Sequence, residues 1–197
     1  MSGFAIVDCE TTGLDPITDR IIECAIILLD NQGSQECARS SLVNPRIPVK
    51  ASFIHGLQDD DVAAAPFFED IATQVVSLLD GRAFVAHNVN FDADFLEASL
   101  RRAGLDFSIP AVRRVCTMEL SKIYLSEGRH GLQAAAERAG IELQPRHRAL
   151  VDAHIAAELL RYYMRAEADG VRYAEYAISR SGERTCPASW LTALSSL

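Results

Sequence analysis

Residues 21 to 43 read IIECAIILLDNQGSQECARSSLV. This stretch contains two strand-like runs, residues 21–30 and 34–43, and residues 31–33 (NQG) between them are typical of a turn. The pattern predicts an antiparallel hairpin. Residues 4–7 (FAIV) form another short apolar run earlier in the chain, as expected for a buried strand. The first three strands are therefore predicted to form a meander.

The rest of the chain alternates between helical and strand-like patterns. Apolar residues at helical spacing predict helices over 67–79, 91–103, 117–125, 132–139 and 149–165, and short apolar runs predict strands over 82–86 and 112–116. Pro45 and Pro48 interrupt regular structure and predict a loop after the third strand. We expect an α/β fold in which a mixed five-stranded sheet is flanked by helices.

The chain length favours one domain followed by a short extension. A chain of 197 residues can bury a substantial core. We expect the domain to cover residues 1–168 and the extension to cover residues 169–197. The extension contains a predicted helix near residues 171–179 and an apolar segment at residues 190–197, and its role is not predicted.

The composition is that of a globular protein, with 49% hydrophobic and 23% charged residues. The first ten residues lack the features of a signal peptide, and the most apolar run is too short for a membrane span and contains Glu23. The five cysteines are scattered and form no CxxC pair. This pattern favours thiols in a reducing cytoplasm over a disulfide framework or a zinc site.

The formal net charge of −8 argues against nucleic-acid binding through an extended basic surface. It does not exclude an acidic site in which metal ions reverse the local charge and attract phosphate.

Asp8 and Glu10 follow the first apolar run directly. Residues two apart in a strand point to the same face, and the Cα atoms of these two residues are expected to be about 6.5 to 7 Å apart. Their mutual repulsion favours a hard divalent cation between them. The alternative is a pair of solvated surface acids.

The residues after this acidic pair suit contact with a nucleotide. Thr11 and Thr12 offer hydroxyls, Gly13 exposes its backbone, and Leu14 could pack on a base. The alternative is a polar turn that contains one glycine.

A second cluster, HNVNFDADFL, occupies residues 87–96 and follows an apolar strand. It places Asp92 in the first turn of a predicted helix, where the helix dipole favours a negative charge. His87 and Asn88 would end the preceding strand, and we expect both of them and Phe91 to contact substrate. The alternative is that Asp92 only caps the helix and that Phe91 is a core anchor.

A third cluster, HRALVDAHIAAELL, occupies residues 147–160. The helix is predicted to begin between His147 and Asp152, so a loop imidazole and a helical carboxylate can reach one cleft. The alternative is that the histidine is incidental.

Together the three segments resemble the DEDDh exonucleases, the superfamily of the epsilon-type proofreading subunit of bacterial replicative polymerases, ribonuclease T and oligoribonuclease. VDCETTGL is similar to the first motif of that superfamily, HNVNFDADFL to the second, and HRALVDA to the third. Cys9 occupies a position that is often threonine in the family. The similarity extends from residue 4 to residue 165.

The resemblance implies a ribonuclease-H-like fold and hydrolysis with two divalent metal ions, Mg²⁺ or Mn²⁺. Asp8, Glu10 and Asp152 would ligate the ion that activates water, and Asp92 would reach a second ion near Asp8. Two such ions about 3.5 to 4 Å apart can stabilise both oxygens of an in-line displacement. His147 would be the general base.

The segment FIHGL around His55 resembles the region that approaches the terminal nucleotide in epsilon-type members. We therefore expect His55 to contact substrate. The expected substrate is the 3′ end of single-stranded or frayed DNA, and the expected products are nucleoside 5′-monophosphates.

Three alternatives to this function stay open. The chain could trim RNA 3′ ends, since the sequence shows no reader of a 2′-hydroxyl. It could be a binding subunit that holds a DNA polymerase through residues 190–197, or a phosphodiesterase that acts on small esters. The oligomeric state and a polymerase partner are not predicted.

Overall fold

The computed structural model describes residues 2–50, 52–125, 127–142, 148–170, 173–177 and 185–195. Its five strands are β1 (Phe4–Thr11), β2 (Ile21–Leu29), β3 (Gln35–Leu42), β4 (Ala83–Ala86) and β5 (Arg114–Cys116). Its helices are α1 (Ser52–His55), α2 (Asp59–Val62), α3 (Phe68–Leu79), α4 (Val89–Arg102), α5 (Thr117–Tyr124), α6 (Leu132–Arg138), α7 (Ala149–Ala168), α8 (Tyr173–Tyr176) and α9 (Ala188–Leu194). A 3₁₀ turn at Ala111–Arg113 precedes β5.

The strands form one sheet in the order β3-β2-β1-β4-β5. The first three strands pair antiparallel, whereas β4 pairs parallel to both β1 and β5. The predicted meander and the mixed five-stranded sheet are therefore confirmed. All nine residues of β2 are buried because the sheet is covered on both faces.

Alternate residues of β1 enter two separate cores. Phe4 and Ile6 belong to the core that contains α7, while Ala5, Val7 and Cys9 belong to the core that contains α3 and α4. Asp8 and Glu10 continue the first of these two sets. Their side chains are thus directed to the α7 face of the sheet, and Cys9 points away from them.

Helix α7 lies against both β1 and β2. Ala149, Ala153, Ala156 and Ala157 are fully buried on its inner side, and these small side chains let the helix approach the sheet closely.

The loop predicted after Pro45 and Pro48 contains α1 and α2, which the apolar pattern did not reveal because each has only four residues. Asp61 accepts a hydrogen bond from the backbone N–H of Gln58 (2.8 Å) and stabilises the start of α2. Val62 and Leu57 then pack against Ile22.

The described part of the C-terminal extension packs onto the domain. Trp190 is fully buried, and its indole N–H donates to the Tyr124 hydroxyl (2.7 Å). The Tyr124 hydroxyl donates in turn to Glu167 near the end of α7 (2.5 Å). Trp190 is therefore part of the core and is not exposed for docking. The division of the chain at residue 168 stays a prediction. Within the described residues, no helix is long and apolar enough to cross a membrane.

Replacing Trp190 with alanine should lower the free energy of unfolding by about 3 to 5 kcal/mol, because it removes a buried aromatic side chain and leaves a cavity. Urea denaturation measures this change. Val112→Ala is the matched control, since Val112 is 57% exposed. A loss for Trp190→Ala as small as that of the control would contradict the packing described above.

Candidate active site

Three carboxylates meet at the C-terminal end of β1. Asp8 and Glu10 extend from that strand, and Asp152 extends from the first turn of α7. One oxygen of each lies within 4.8 Å of the other two. The contact of α7 with β1 and β2 brings together residues that are more than 140 positions apart in the sequence.

Asp92 approaches this group from the other side of the sheet. It lies in the first turn of α4, is buried, and accepts a hydrogen bond from the backbone N–H of Cys9 (3.0 Å). This bond fixes the start of α4 to the strand position between Asp8 and Glu10. All four acidic residues predicted from the three motifs therefore lie at one edge of the sheet.

Burial and crowding raise the pKa of three of these carboxyl groups, Asp8, Glu10 and Asp92. Loss of hydration is the largest cause for Asp8, whose pKa is well above its usual range, and the charges of Asp92, Asp152 and Glu10 add to it. Burial, followed by the charges of Asp152 and Glu23, raises the pKa of Glu10 to about 7. Burial raises the pKa of Asp92 to about 8, although the Cys9 N–H opposes the shift.

This donor set fits a hard divalent cation. Carboxylate oxygens are the ligands that Mg²⁺ and Mn²⁺ prefer, and a cation would offset the repulsion among Asp8, Glu10 and Asp152.

The buried carboxylate of Glu23 forms an ion pair with the partly exposed Arg148 beside the other carboxylates. Glu23 lies opposite Glu10 on β2 and is 3% exposed. Both of its oxygens accept from the Arg148 guanidinium (2.9 and 2.8 Å), and one also accepts from the backbone N–H of Ala149 (3.2 Å). The pair fixes the first residues of α7 to β2 and thereby positions Asp152.

Glu23 lies outside the three motifs, which therefore predict no role for it in the site. The available signal was a charged residue inside an otherwise apolar strand, because a buried carboxylate requires a partner. That partner, Arg148, lies next to the third motif, so the pairing becomes visible only once the helix is placed on the sheet.

The loop after Glu10 is held by internal hydrogen bonds. The Thr11 hydroxyl donates to the Gly13 carbonyl (2.6 Å), and the Thr12 hydroxyl donates to Asp19 (3.2 Å). A side chain at Gly13 would place its Cβ 2.3 Å from Asp19 Oδ2. Leu14 is 83% exposed and is free to meet a ligand.

His87 is placed differently from the expectation of a substrate contact. It is buried, its Nε2–H donates to the His130 carbonyl (2.8 Å), and its Nδ1 lies 2.9 Å from the Thr117 hydroxyl. Burial lowers its pKa to about 4. Both ring nitrogens are used inside the protein, so His87 joins β4 to α5. We do not include it among the proposed substrate contacts.

The other predicted substrate contacts differ in how accessible their side chains are. His55 is buried, with Nε2 near the Lys50 carbonyl (3.1 Å) and Nδ1 accepting from the Leu57 N–H (3.1 Å). Phe91 is half-buried against Phe95 (ring centroids 4.8 Å apart). Asn88 is exposed at the end of β4. Leu14 and Asn88 therefore present the most accessible side chains of the predicted set.

The predicted general base, His147, lies outside the described residues. Its neighbour in the chain, Arg148, is described and is anchored by Glu23. The assignment of His147 stays a prediction.

Comparison with known proteins identifies the family. Residues 5–160 match the family model RNase_T, described as "Exonuclease". The chain belongs to this exonuclease family. The three motifs place it in the DEDDh 3′–5′ exonuclease superfamily, as the sequence predicted, and it is a DEDDh-type hydrolytic nuclease.

Curated relatives include two bacterial proteins named DNA polymerase III PolC-type. The protein of Staphylococcus saprophyticus subsp. saprophyticus is 32% identical over 171 residues, which cover 85% of this chain and 12% of the relative. The protein of Caldanaerobacter subterraneus subsp. tengcongensis is 33% identical over 160 residues, which cover 79% and 11%. The exonuclease thus corresponds to a small part of each relative.

Solved structures of nucleases share the fold. Exonuclease X in complex with 5′ overhanging duplex DNA aligns with a TM-score of 0.65 and 25% identity, covering 94% of this chain and 99% of that one. E. coli Exonuclease I in complex with a dT13 oligonucleotide aligns with a TM-score of 0.75 and 17% identity, covering 92% and 45%.

The raised pKa values predict how the metal-free exonuclease responds to pH. Between the unfolded and folded pKa values (4.5 and about 7 for Glu10, 3.8 and about 8 for Asp92) the folded state binds more protons than the unfolded state. The free energy of unfolding in EDTA should therefore fall by about 1 kcal/mol from pH 7 to 8.5, and Mg²⁺ should restore it. His87 is uncharged in this window.

Urea titrations at both pH values, with EDTA and with Mg²⁺, measure this dependence. Asp92→Asn should flatten it, whereas Asp94→Asn should not, because Asp94 is an exposed neighbour on the same helix. If the free energy of unfolding had the same pH dependence in wild type and in Asp92→Asn, titration of Asp92 would not be the source of that dependence.

Proposed function

We propose that this exonuclease removes nucleotides from the 3′ end of single-stranded or frayed DNA and releases nucleoside 5′-monophosphates with the help of two divalent metal ions. The observation that carries the proposal is the group formed by Asp8, Glu10 and Asp152, whose oxygens lie within 4.8 Å of one another. Asp92 lies beside it, bound to the backbone of the same strand.

The acidic residues would hold the ions. Asp8, Glu10 and Asp152 would ligate one ion, and Asp8 with Asp92 would hold the second; bound there, such ions activate water and stabilise the charge on a leaving oxygen. The Cys9 N–H and the Glu23–Arg148 pair keep these carboxylates in place before an ion or substrate arrives. Mg²⁺ and Mn²⁺ both suit an oxygen-only site of this kind.

His147 would act as the general base. An imidazole with an ordinary pKa of about 6.5 is mostly neutral at physiological pH and can accept the proton of the attacking water. The water oxygen would bond to phosphorus, and the 3′-oxygen of the preceding nucleotide would leave. Because Arg148 is fixed to Glu23, the chain directly after His147 has a defined position.

DNA is proposed as the substrate because of the relatives. PolC-type polymerases align with most of this chain, and Exonuclease X is named in complex with DNA. RNA is the second candidate because no described residue distinguishes the two sugars by itself. Association with a DNA polymerase is a further proposal that the PolC similarity supports, and the scattered cysteines favour a cytoplasmic location.

The structure weakens one rival function. A subunit that only holds a polymerase through the C-terminal segment would need that segment exposed, but Trp190 lies in the core. A phosphodiesterase for small esters would use the same carboxylates and would prefer mono- or dinucleotide esters to oligomers.

Digestion of 5′-labelled DNA and RNA oligonucleotides, side by side, tests the proposal. With Mg²⁺ we expect the DNA strand to shorten from its 3′ end and EDTA to abolish the reaction. Asp8→Ala should lose nuclease activity, and Mg²⁺ should no longer raise its free energy of unfolding. His147→Ala should keep that stabilisation but lower kcat by about 100-fold or more, and Asp94→Asn should behave like wild type.

Faster digestion of RNA would assign the enzyme to RNA trimming, and a preference for dinucleotides would favour the small-ester function. Normal kcat in His147→Ala would overturn the assignment of the general base. Undiminished digestion in EDTA would overturn the metal dependence.

A further inference from the structure

A cavity of about 240 Å³ carries arginines on its walls although the chain is acidic overall. Its lining includes Arg20 at the start of β2, Arg46 after β3 and Arg102 at the end of α4. The start of β2 pairs with the end of β1, since Thr11 lies opposite Ile21. The cavity therefore lies beside the end of β1, on the α3 and α4 face of the sheet, where α4 also carries Asp92. Asp8, Glu10 and Asp152 reach the same end of β1 from the α7 face.

Backbone carbonyls hold two of these arginines in place. The Arg102 guanidinium donates to the carbonyls of Pro16 and Ile17. The Arg20 guanidinium donates to the carbonyls of Thr18 (3.0 Å) and Asp19 (2.8 Å). Both arginines thus use the loop between β1 and β2 as a support, and their orientation is fixed without a bound ligand.

The positive charge of Arg20 and Arg102 is not neutralised by a direct ion pair. Neither forms a salt bridge with any carboxylate of the described residues. Burial and then the charge of Arg20 lower the pKa of Arg102, which shows that the two guanidinium groups are close enough to repel each other. Two cations in this arrangement attract an anion.

Two acidic residues near the cavity, Glu69 and Asp15, interact with its arginines to different degrees. Glu69 pairs with Arg46 (3.0 Å), which also lies over the Phe67 ring (3.7 Å to the centroid). The Asp15 carboxylate accepts from the Ile17 N–H (2.9 Å) and the Thr18 hydroxyl (3.0 Å). Arg46 is thus compensated by a direct ion pair, whereas Asp15 acts on Arg102 only through its charge and forms no ion pair with it among the described residues. Arg20 and Arg102 therefore supply the net positive charge of the cavity.

We propose that this cavity binds a backbone phosphodiester of the nucleic-acid strand whose 3′ end occupies the carboxylate site. The proposal rests on the proposed function. The guanidinium groups offer paired N–H donors that match phosphate oxygens. The loop between β1 and β2 joins the cavity to the carboxylate site, since the backbone N–H of Arg20 donates to the Thr12 hydroxyl (3.0 Å).

The distance between the carboxylate site and the arginine cavity predicts how many nucleotides lie between the two contacts. Asp92 and Arg102 are ten residues apart on α4, which corresponds to about 15 Å along the helix. A strand that advances about 3.4 Å per nucleotide covers this distance in about four nucleotides. Strands shorter than this should not reach the cavity.

Arg102→Gln tests the proposal with two substrates, a DNA dinucleotide and a DNA 12-mer. We expect KM for the 12-mer to rise about fivefold with kcat unchanged, and both constants for the dinucleotide to match wild type. In EDTA, fluorescence anisotropy should show that Arg102→Gln binds the 12-mer more weakly than wild type does. The slope of log Kd against log salt concentration should also be smaller by about 0.7 in the variant. Arg102→Lys should retain most of that salt dependence.

Arg165→Gln is the matched control, because it removes the same charge from an exposed position about 20 Å further along α7 than Asp152. If Arg102→Gln and Arg165→Gln changed KM and Kd for the 12-mer equally, the effect of Arg102 would come only from the net charge of the protein, and the proposal would be overturned. A loss of dinucleotide turnover in Arg102→Gln would also overturn it, since it would mean that Arg102 acts only by supporting the loop.

Titration with inorganic phosphate and with a nucleoside 5′-monophosphate separates the sources of the anion. If Arg102→Gln weakened binding of these small anions but left the 12-mer unaffected, the cavity would be a site for free phosphate and the proposal would fail. If wild type neither bound nor digested any oligonucleotide, the proposed function itself would fail, which is a distinct result.

Discussion

Repulsion among clustered carboxylates is the constraint on which the rest of the structure depends. Oxygens of Asp8, Glu10 and Asp152 lie within 4.8 Å of one another and Asp92 lies beside them. Burial and like charge raise the pKa of Asp8, Glu10 and Asp92. Such a cluster persists only if the surrounding structure holds each member in place. The protein gives up stability here for a site that a divalent cation would complete.

Three features of the fold maintain this arrangement. β1 lies inside the sheet between β2 and β4, so its end cannot shift freely. The Cys9 N–H ties Asp92 to that strand, and Glu23 ties the start of α7 to β2 through Arg148. The two helices that carry Asp92 and Asp152 pack on opposite faces of the sheet. Their first turns converge on the end of β1.

Local patterns were enough to predict the sheet and the main helices, whereas the four carboxylates were singled out by the resemblance of three motifs to one family. The hairpin of residues 21–43 and the alternation along β1 depend on neighbouring residues, which a sequence displays directly. The roles of Glu23, His87 and Trp190 depend on partners such as Arg148, His130 and Tyr124, which are far away in the chain. The arginine cavity escaped prediction for the same reason, since Arg20 and Arg102 meet only in the folded protein.

The central claim is that the carboxylate group is a divalent-metal centre. Anomalous diffraction from a crystal soaked in Mn²⁺ tests it most directly. We expect a strong peak coordinated by Asp8, Glu10 and Asp152 at about 2.0 to 2.2 Å, a second near Asp8 and Asp92, and neither peak in Asp8→Ala. A map with no peak at these carboxylates, at Mn²⁺ concentrations that support nuclease activity, would contradict the account.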